Sequence, residues 1–481
     1  MFLWLLAGFF VLLWIYLRRN YGKLEKCGIP VIPPFLCFGS GPWALHKYQL
    51  AELDEKRVAK YGKVFGAYIL SQPMVYVADA DIIKQITTKD FESFHGHLFK
   101  FGDQKFRTLD IADGEEWREL RKGMSPIFTS GKIKGMLQYV NCTLDNMMEH
   151  LEKRVKEDPV IDLKPVFQKM TMDVIGKCAF GIEINCFEGN TDLLRLGNGV
   201  LEGFKVKNAM DAFFMNIFLG LSGIENYLDM VPPEMKELWK IFKNIENGRK
   251  VPNGDFIDKM AEMKKQVQNG ELKHLSEDQI TSQSIIFLIA GYETTASTLG
   301  ALCYQLVKNT EVLEKLVAEI DQVLEEFDGK LDHETVAEMP YLEACVKETL
   351  RFSSPVSRND RICNKDFEYK GIKIPKGTGI GICAQVVHFD PEYWPEPYMF
   401  KPERFLKENA GSIVPCSWLP FGSGPRACIG ERFAMIEIKM GTVRLLSKYK
   451  IEIDSKTRYH VDKGEVFLAL YTDMFLKLTE R

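Results

Sequence analysis

The chain is 481 residues long, 46% hydrophobic and 27% charged, so it can bury a large core behind an ordinary soluble surface. Its formal net charge is -4 and it has no basic arm, which excludes nucleic acid as an expected partner because phosphate binding needs clustered Lys and Arg. No Gly/Ser linker, repeat or low-complexity tract divides it.

The uncharged run from Met1 to Leu17 would rise ~25 Å as a helix, slightly short of a ~30 Å hydrocarbon core. Arg18, Arg19, Lys23 and Lys26 follow, which predicts a transmembrane anchor over 1–20, lipid as a partner, and the bulk of the chain on the cytosolic face. A cleaved signal peptide would carry its charge before the run and small residues after it. The 11 cysteines are scattered and lack C-x-x-C spacing, as expected in a reducing compartment. Residues 21–40 contain Ile29-Pro30-Val31-Ile32-Pro33-Pro34, which predicts a stiff proline-rich hinge, and 41–481 reads as one large domain.

Val64 to Leu70 and Met74 to Ala78 are β-rich and predict a hairpin turning at Ser71-Gln72-Pro73. From about Glu115 to Leu324 the spacing is helical, broken near Gly131, Pro232-Pro233 and Val251-Pro252-Asn253-Gly254. Ser276 to Asn309 opens with a capping box and is apolar on most faces, so it is expected to cross the core. Its centre, Ala290-Gly291-Tyr292-Glu293-Thr294-Thr295, places a glycine, an acid and two hydroxyls where packing favours Leu or Ile, a conflict that marks a functional site. Pro340 opens a helix to Phe352, Phe367 to Pro375 reads as short strands around a turn, and Ile451 to Leu478 is strand-like. Helices in the middle and small sheets near the ends predict a mainly α, α+β fold.

In Pro420-Phe421-Gly422-Ser423-Gly424-Pro425-Arg426-Ala427-Cys428-Ile429-Gly430, glycines precede a thiol and a helix-forming run follows. Glycines let amides approach the sulfur and a helix amino terminus favours negative charge, so Cys428 is placed to ligate a metal as thiolate. A buried structural cysteine and a nucleophile are the alternatives on chemistry alone. Trp117 and Arg121, four apart on a predicted helix, can grip one carboxylate together or form a surface cation–π pair. Glu293 and Thr294 supply an acid and a hydroxyl for a proton relay, or Thr294 and Thr295 simply bend a buried helix.

The spacing F-x-x-G-x-R-x-C-x-G from Phe421 to Gly430 closely resembles the cytochrome P450 family. The resemblance runs from the anchor to the carboxyl end, and Ser284 to Thr295 and Ser125 to Lys132 look like its animal microsomal group of xenobiotic and steroid oxidases, a 3A-like pattern. It implies the cytochrome P450 fold with residues 41–481 as catalytic domain, haem b as cofactor and Cys428 as the axial ligand of the iron. It further implies Phe421 beside the sulfur, and Trp117, Arg121, Arg361 and Arg426 on the propionates. The match to A-G-x-[DE]-T-[TS] implies Thr294 and Glu293 in oxygen activation. Glu348 and Arg351 pair on one helix face, with Arg404 as a third partner by resemblance.

The activity implied is a monooxygenase acting on a lipophilic substrate. A peroxide isomerase or lyase, as in thromboxane synthase, and a non-catalytic haem protein stand as alternatives. No G-x-G-x-x-G follows a strand, so electrons are expected from outside, by resemblance from NADPH-cytochrome P450 reductase with cytochrome b5 as a further donor, at the endoplasmic reticulum membrane. Arg118, Lys122, Lys132 and Lys439 are expected to form the docking face. Pocket residues implied by the family are Leu109, Ile111, Phe287, Ala290, Val356, Ser357, Val466 and Phe467. Asp110, among them, is charged where a lipophilic pocket needs no charge. Met210 to Leu221 is expected to dip into the membrane interface or to pack on the core.

Overall fold

The computed structural model describes residues 1–41, 44–98, 101–221, 231–461, 463–465, 468–469 and 471–481. Helices fill the middle of the chain and small sheets lie toward its ends, the mainly α, α+β arrangement expected.

The longest helix, Glu277–Lys308, begins where Ser276 Oγ accepts the Gln279 N–H at 3.1 Å. It packs along Leu163–Phe180 and against Pro233–Gly248, Pro340–Phe352 and Glu431–Lys448. It is long and apolar enough to cross a membrane, yet 72% of its apolar window is buried in protein, which makes it the core helix. Phe2–Arg18 is shorter and more apolar, and buries none of its residues.

Val64–Ile69 and Gln72–Val77 form the expected hairpin, but it turns earlier than the sequence suggests, at Leu70-Ser71, with Leu70 at φ 51°. Pro73 lies inside the second strand opposite Tyr68. Pairing of that strand with Gly379–Ile382 starts only at Met74, so the missing proline N–H breaks no bond on that side. Asn359–Ile362 completes the sheet, antiparallel to Gly379–Ile382. The proline-rich segment is fastened to the hairpin's outer strand, where Gly66 N–H donates to Pro30 O at 2.7 Å and Ile32 N–H to Gly66 O at 2.9 Å.

Below the sheet, Glu348 and Arg351 are both fully buried and joined by two hydrogen bonds of 2.8 Å. Arg404 Nε lies 3.4 Å from Glu348 Oε1, and the Lys401 N–H donates to the same oxygen at 2.8 Å. His388 ties this cluster to the segment that leads into the cysteine loop. Its carbonyl accepts from Arg351 Nη1 at 2.7 Å and its Nε2 accepts the Leu419 N–H at 2.8 Å.

Candidate active site

The cysteine loop crosses the segment Gln85–Lys89 at a point where only glycine fits. Gly424 has φ 73°, and a Cβ there would stand 1.9 Å from Thr87 O. The Cys428 N–H donates to Phe421 O at 2.8 Å, which folds the loop back on itself and brings the two residues' backbones together. Trp418 meets Phe421 edge-on at 6.1 Å. Protein surrounds Cys428, yet its side chain is open to a water molecule, so it lines an interior space.

Burial pushes the Cys428 thiol up. The amides of Gly430 and Glu431 and the charge of Arg121 oppose the rise, while the charge of Glu431 adds to it. The expectation that loop amides by themselves favour the thiolate is therefore outweighed by desolvation in the chain alone. A cation bound at the sulfur is what reverses that balance.

On the core helix, Ile286, Ala290 and Thr294 are accessible at a spacing of four, while nearly all residues between them are buried. That stripe opens on the interior. Thr294 Oγ1 donates to Ala290 O at 2.7 Å, the bond back to the helix that the sequence suggested. Glu293 points the other way. It is fully buried, 3.1 Å from Lys164 Nζ, and accepts from Gln168 Nε2 at 2.7 Å and from Ser297 Oγ at 3.1 Å. The structure thus separates the two residues that the sequence placed in one relay.

Between the loop and the helix Gly114–Met124 lies a group of cations. Arg426 stacks over Trp117 at 4.4 Å, so the indole's cation–π partner is Arg426 rather than Arg121. Arg426 donates to His95 O and Ala112 O, both at 2.6 Å, and leaves a buried Nε without a partner. Burial, with Arg361 nearby, pushes Arg426 down to about 9. Arg361 is also buried, lowered by desolvation, and its Nε is likewise unpartnered. Arg121 makes no side-chain hydrogen bond among the described residues, and the nearest charge raising its pKa is Cys428. Buried guanidinium nitrogens with nothing to bond are sites that an anionic group satisfies, so this cradle fits the carboxylates of a haem. Among the described residues no cluster of three or more His, Cys, Asp or Glu is arranged to hold a metal.

Sequence reasoning missed two residues. His97 lies within reach of the charges of Arg361 and Arg426 and pairs with Asp360 at 3.1 Å, but a histidine outside the W-x-x-x-R spacing gives no signal. Ile286 shares the accessible stripe, but an isoleucine on an apolar helix looks like core. Of the pocket residues, Leu109, Ile111 and Phe287 are buried beside Trp117 in one apolar cluster and Ala290 faces the interior. Val356 and Ser357 lead into Asn359–Ile362. Val466 and Phe467 lie outside the described residues. Lys439 is not at the surface: it is buried, donating to Val336 O at 3.2 Å and pairing with Glu343.

Comparison with known proteins agrees with this geometry. Residues 29–472 match the family described as Cytochrome P450. Cytochrome P450 3A7 of Homo sapiens is 35% identical over 471 residues, covering 94% of this chain and 91% of the relative. Cytochrome P450 3A40 of Oryzias latipes is 33% identical over 99% of this chain and 96% of its own length. Cytochrome P450 6B7 of Helicoverpa armigera is 32% identical over 94% and 92%. With the match spanning nearly the whole sequence, the chain belongs to the cytochrome P450 family of haem-thiolate monooxygenases.

Proposed function

We propose that this protein inserts one oxygen atom from O2 into a lipophilic organic substrate, a xenobiotic, steroid or fatty acid, using electrons from NADPH delivered by NADPH-cytochrome P450 reductase, with cytochrome b5 as a further donor. The observation that carries this reading is the enclosed yet accessible Cys428 beside buried guanidinium nitrogens that lack partners.

In this reading Cys428 would hold the haem iron through its thiolate, Phe421 would pack beside the sulfur, and Trp117, Arg121, Arg361 and Arg426 would hold the propionates. Haem bound through thiolate, the hallmark of this family, supplies the electron density that favours O–O cleavage. Thr294 is the proton-handling group on the interior face. Its Oγ1 donates to Ala290 O and, on releasing that bond, orients water there. Glu293, held behind the helix by Lys164 and Gln168, positions the helix that carries Thr294 rather than handling the proton itself. Leu109, Ile111, Phe287 and Ala290 keep the substrate volume apolar and exclude bulk water.

Residues 1–20 anchor the protein in the endoplasmic reticulum membrane, 21–40 set the orientation, and 41–481 form the catalytic domain on the cytosolic face. Phe35, Leu36, Met210 and Phe214 are exposed, and Phe213 packs on Phe38 at 5.2 Å, which brings these two apolar stretches together as a surface that dips into lipid. The donor docks over the open cavity of about 400 Å³ lined by Lys347, Trp418 and the buried Lys439, together with Arg432 and Met435 on the helix that follows Cys428.

The test is the reduced, carbon-monoxide-treated protein. The red-displaced band of sulfur-ligated haem is expected, and its retention in Cys428→Ser would overturn the reading. Turnover that needs neither reductant nor O2 would instead mark a peroxide isomerase.

A further inference from the structure

Asp110 stands between two buried residues, Leu109 and Ile111, yet its own side chain is open to water while protein encloses it. The segment that carries it is pinned on both sides. The Leu109 N–H donates to Gln283 Oε1 at 2.8 Å and Gln279 Nε2 donates to Arg107 O at 3.0 Å, both on the core helix. Arg426 donates to Leu109 O at 3.3 Å and to Ala112 O at 2.6 Å, from the cysteine loop. The segment also turns on itself, with the Ile111 and Ala112 N–H groups both donating to Thr108 O. So held, Asp110 sits between the core helix and the cysteine loop, and its enclosed carboxyl group still has open space beside it.

Asp110 Oδ1 accepts from Thr108 Oγ1 at 2.6 Å, and no salt bridge satisfies the group among the described residues. The cations nearest it have other work. Arg426 gives its Nη atoms to carbonyls, and His97, paired with Asp360, is pushed below its usual range by burial. Desolvation raises the Asp110 carboxyl, and the Thr108 hydroxyl, its own amide and the charges of His97 and Arg426 offset only part of that rise. A carboxylate in an apolar-lined space gains most from a cation that arrives with the ligand.

We propose that Asp110 selects lipophilic substrates carrying one protonated amine, whose N–H donates to Asp110 while the apolar remainder lies along Phe287 and Ala290. This rests on the haem-thiolate reading and names the substrate class of that site.

The test titrates the holoenzyme at neutral pH with a matched pair, a hindered tertiary amine and its neutral carbon isostere, following the haem absorption shift. Steric hindrance keeps the nitrogen off the iron. The amine is expected to bind roughly ten- to hundredfold more tightly, the range of a charge-assisted hydrogen bond. Asp110→Asn, or Asp110→Ser if the first variant folds poorly, should remove that preference and leave the isostere's affinity unchanged. Equal affinities in the unaltered protein, or a preference that survives both substitutions, overturn the proposal. The carbon-monoxide band separates the two levels: present without amine preference, only Asp110's role fails; absent, the haem-thiolate reading fails as well.

Discussion

Glu293 and Thr294 are neighbours on one helix and present different faces of it: Thr294 is accessible from the interior, whereas Glu293 is sealed against Lys164 at 3.1 Å. Their substitutions should therefore fail differently. Thr294→Ala should keep haem content and thermal stability but release peroxide in place of product, read as the ratio of product to NADPH consumed. Glu293→Gln should lose about 1.5–3 kcal/mol of stability, the range for hydrogen bonds to a charged group, with a smaller change in coupling. Equal peroxide release from both variants at unchanged melting temperature would restore Glu293 to the relay.

His388 makes the fold acid-sensitive. It is fully buried, and burial followed by the charge of Arg351 pushes it down to about 3. Between its ordinary value near 6.5 and about 3, the unfolded chain binds a proton that the folded chain refuses, so stability falls as pH falls through that window, by up to about 1.4 kcal/mol per unit. A protonated Nε2 also cannot accept the Leu419 N–H. Melting temperature against pH should slope less steeply in His388→Gln than in the unaltered protein. Parallel slopes would remove His388 as the cause.

Glu348 is expected to be indispensable for holoprotein. Glu348→Ala strands the fully buried Arg351, at a cost of about 3–5 kcal/mol. Arg404→Ala should cost less, since Arg404 is partly exposed and its Nε approaches Glu348 without a hydrogen bond. Haem recovered per mole of purified protein checks the order of the two.

Regular spacing made the helices, the hairpin and the cysteine loop readable, because period and capping are local properties of the chain. The N-cap at Ser276, formed without the reciprocal Gln279 bond of a full capping box, and the back-bonded Thr294 are examples. What escaped was set by contacts distant in sequence. Nothing near Glu293 says that Lys164 will take its carboxylate. Nothing near Lys439 says that Val336 and Glu343 will bury its amine. The hairpin turn lies at Leu70-Ser71 and Pro73 inside the second strand, at a position where pairing with the distant strand from Gly379 has not yet begun.

Gly424 offers the sharpest test of the loop that presents Cys428. Its φ of 73° lies where L side chains are strained, and the backbone carbonyl of Thr87 occupies the place a Cβ would take. Backbone cannot swing aside as a flexible side chain does, so Gly424→Ala must move either the loop or the Gln85–Lys89 segment. Strain of this kind costs about 1–3 kcal/mol, and the displacement reaches Cys428 four residues on. The variant should therefore lose haem and shift its carbon-monoxide band toward that of inactive, non-thiolate haem. Gly411→Ala, in an open turn with nothing within 4 Å, should do neither. If both variants kept the full band, the loop would be positioned by something other than its contact with Thr87.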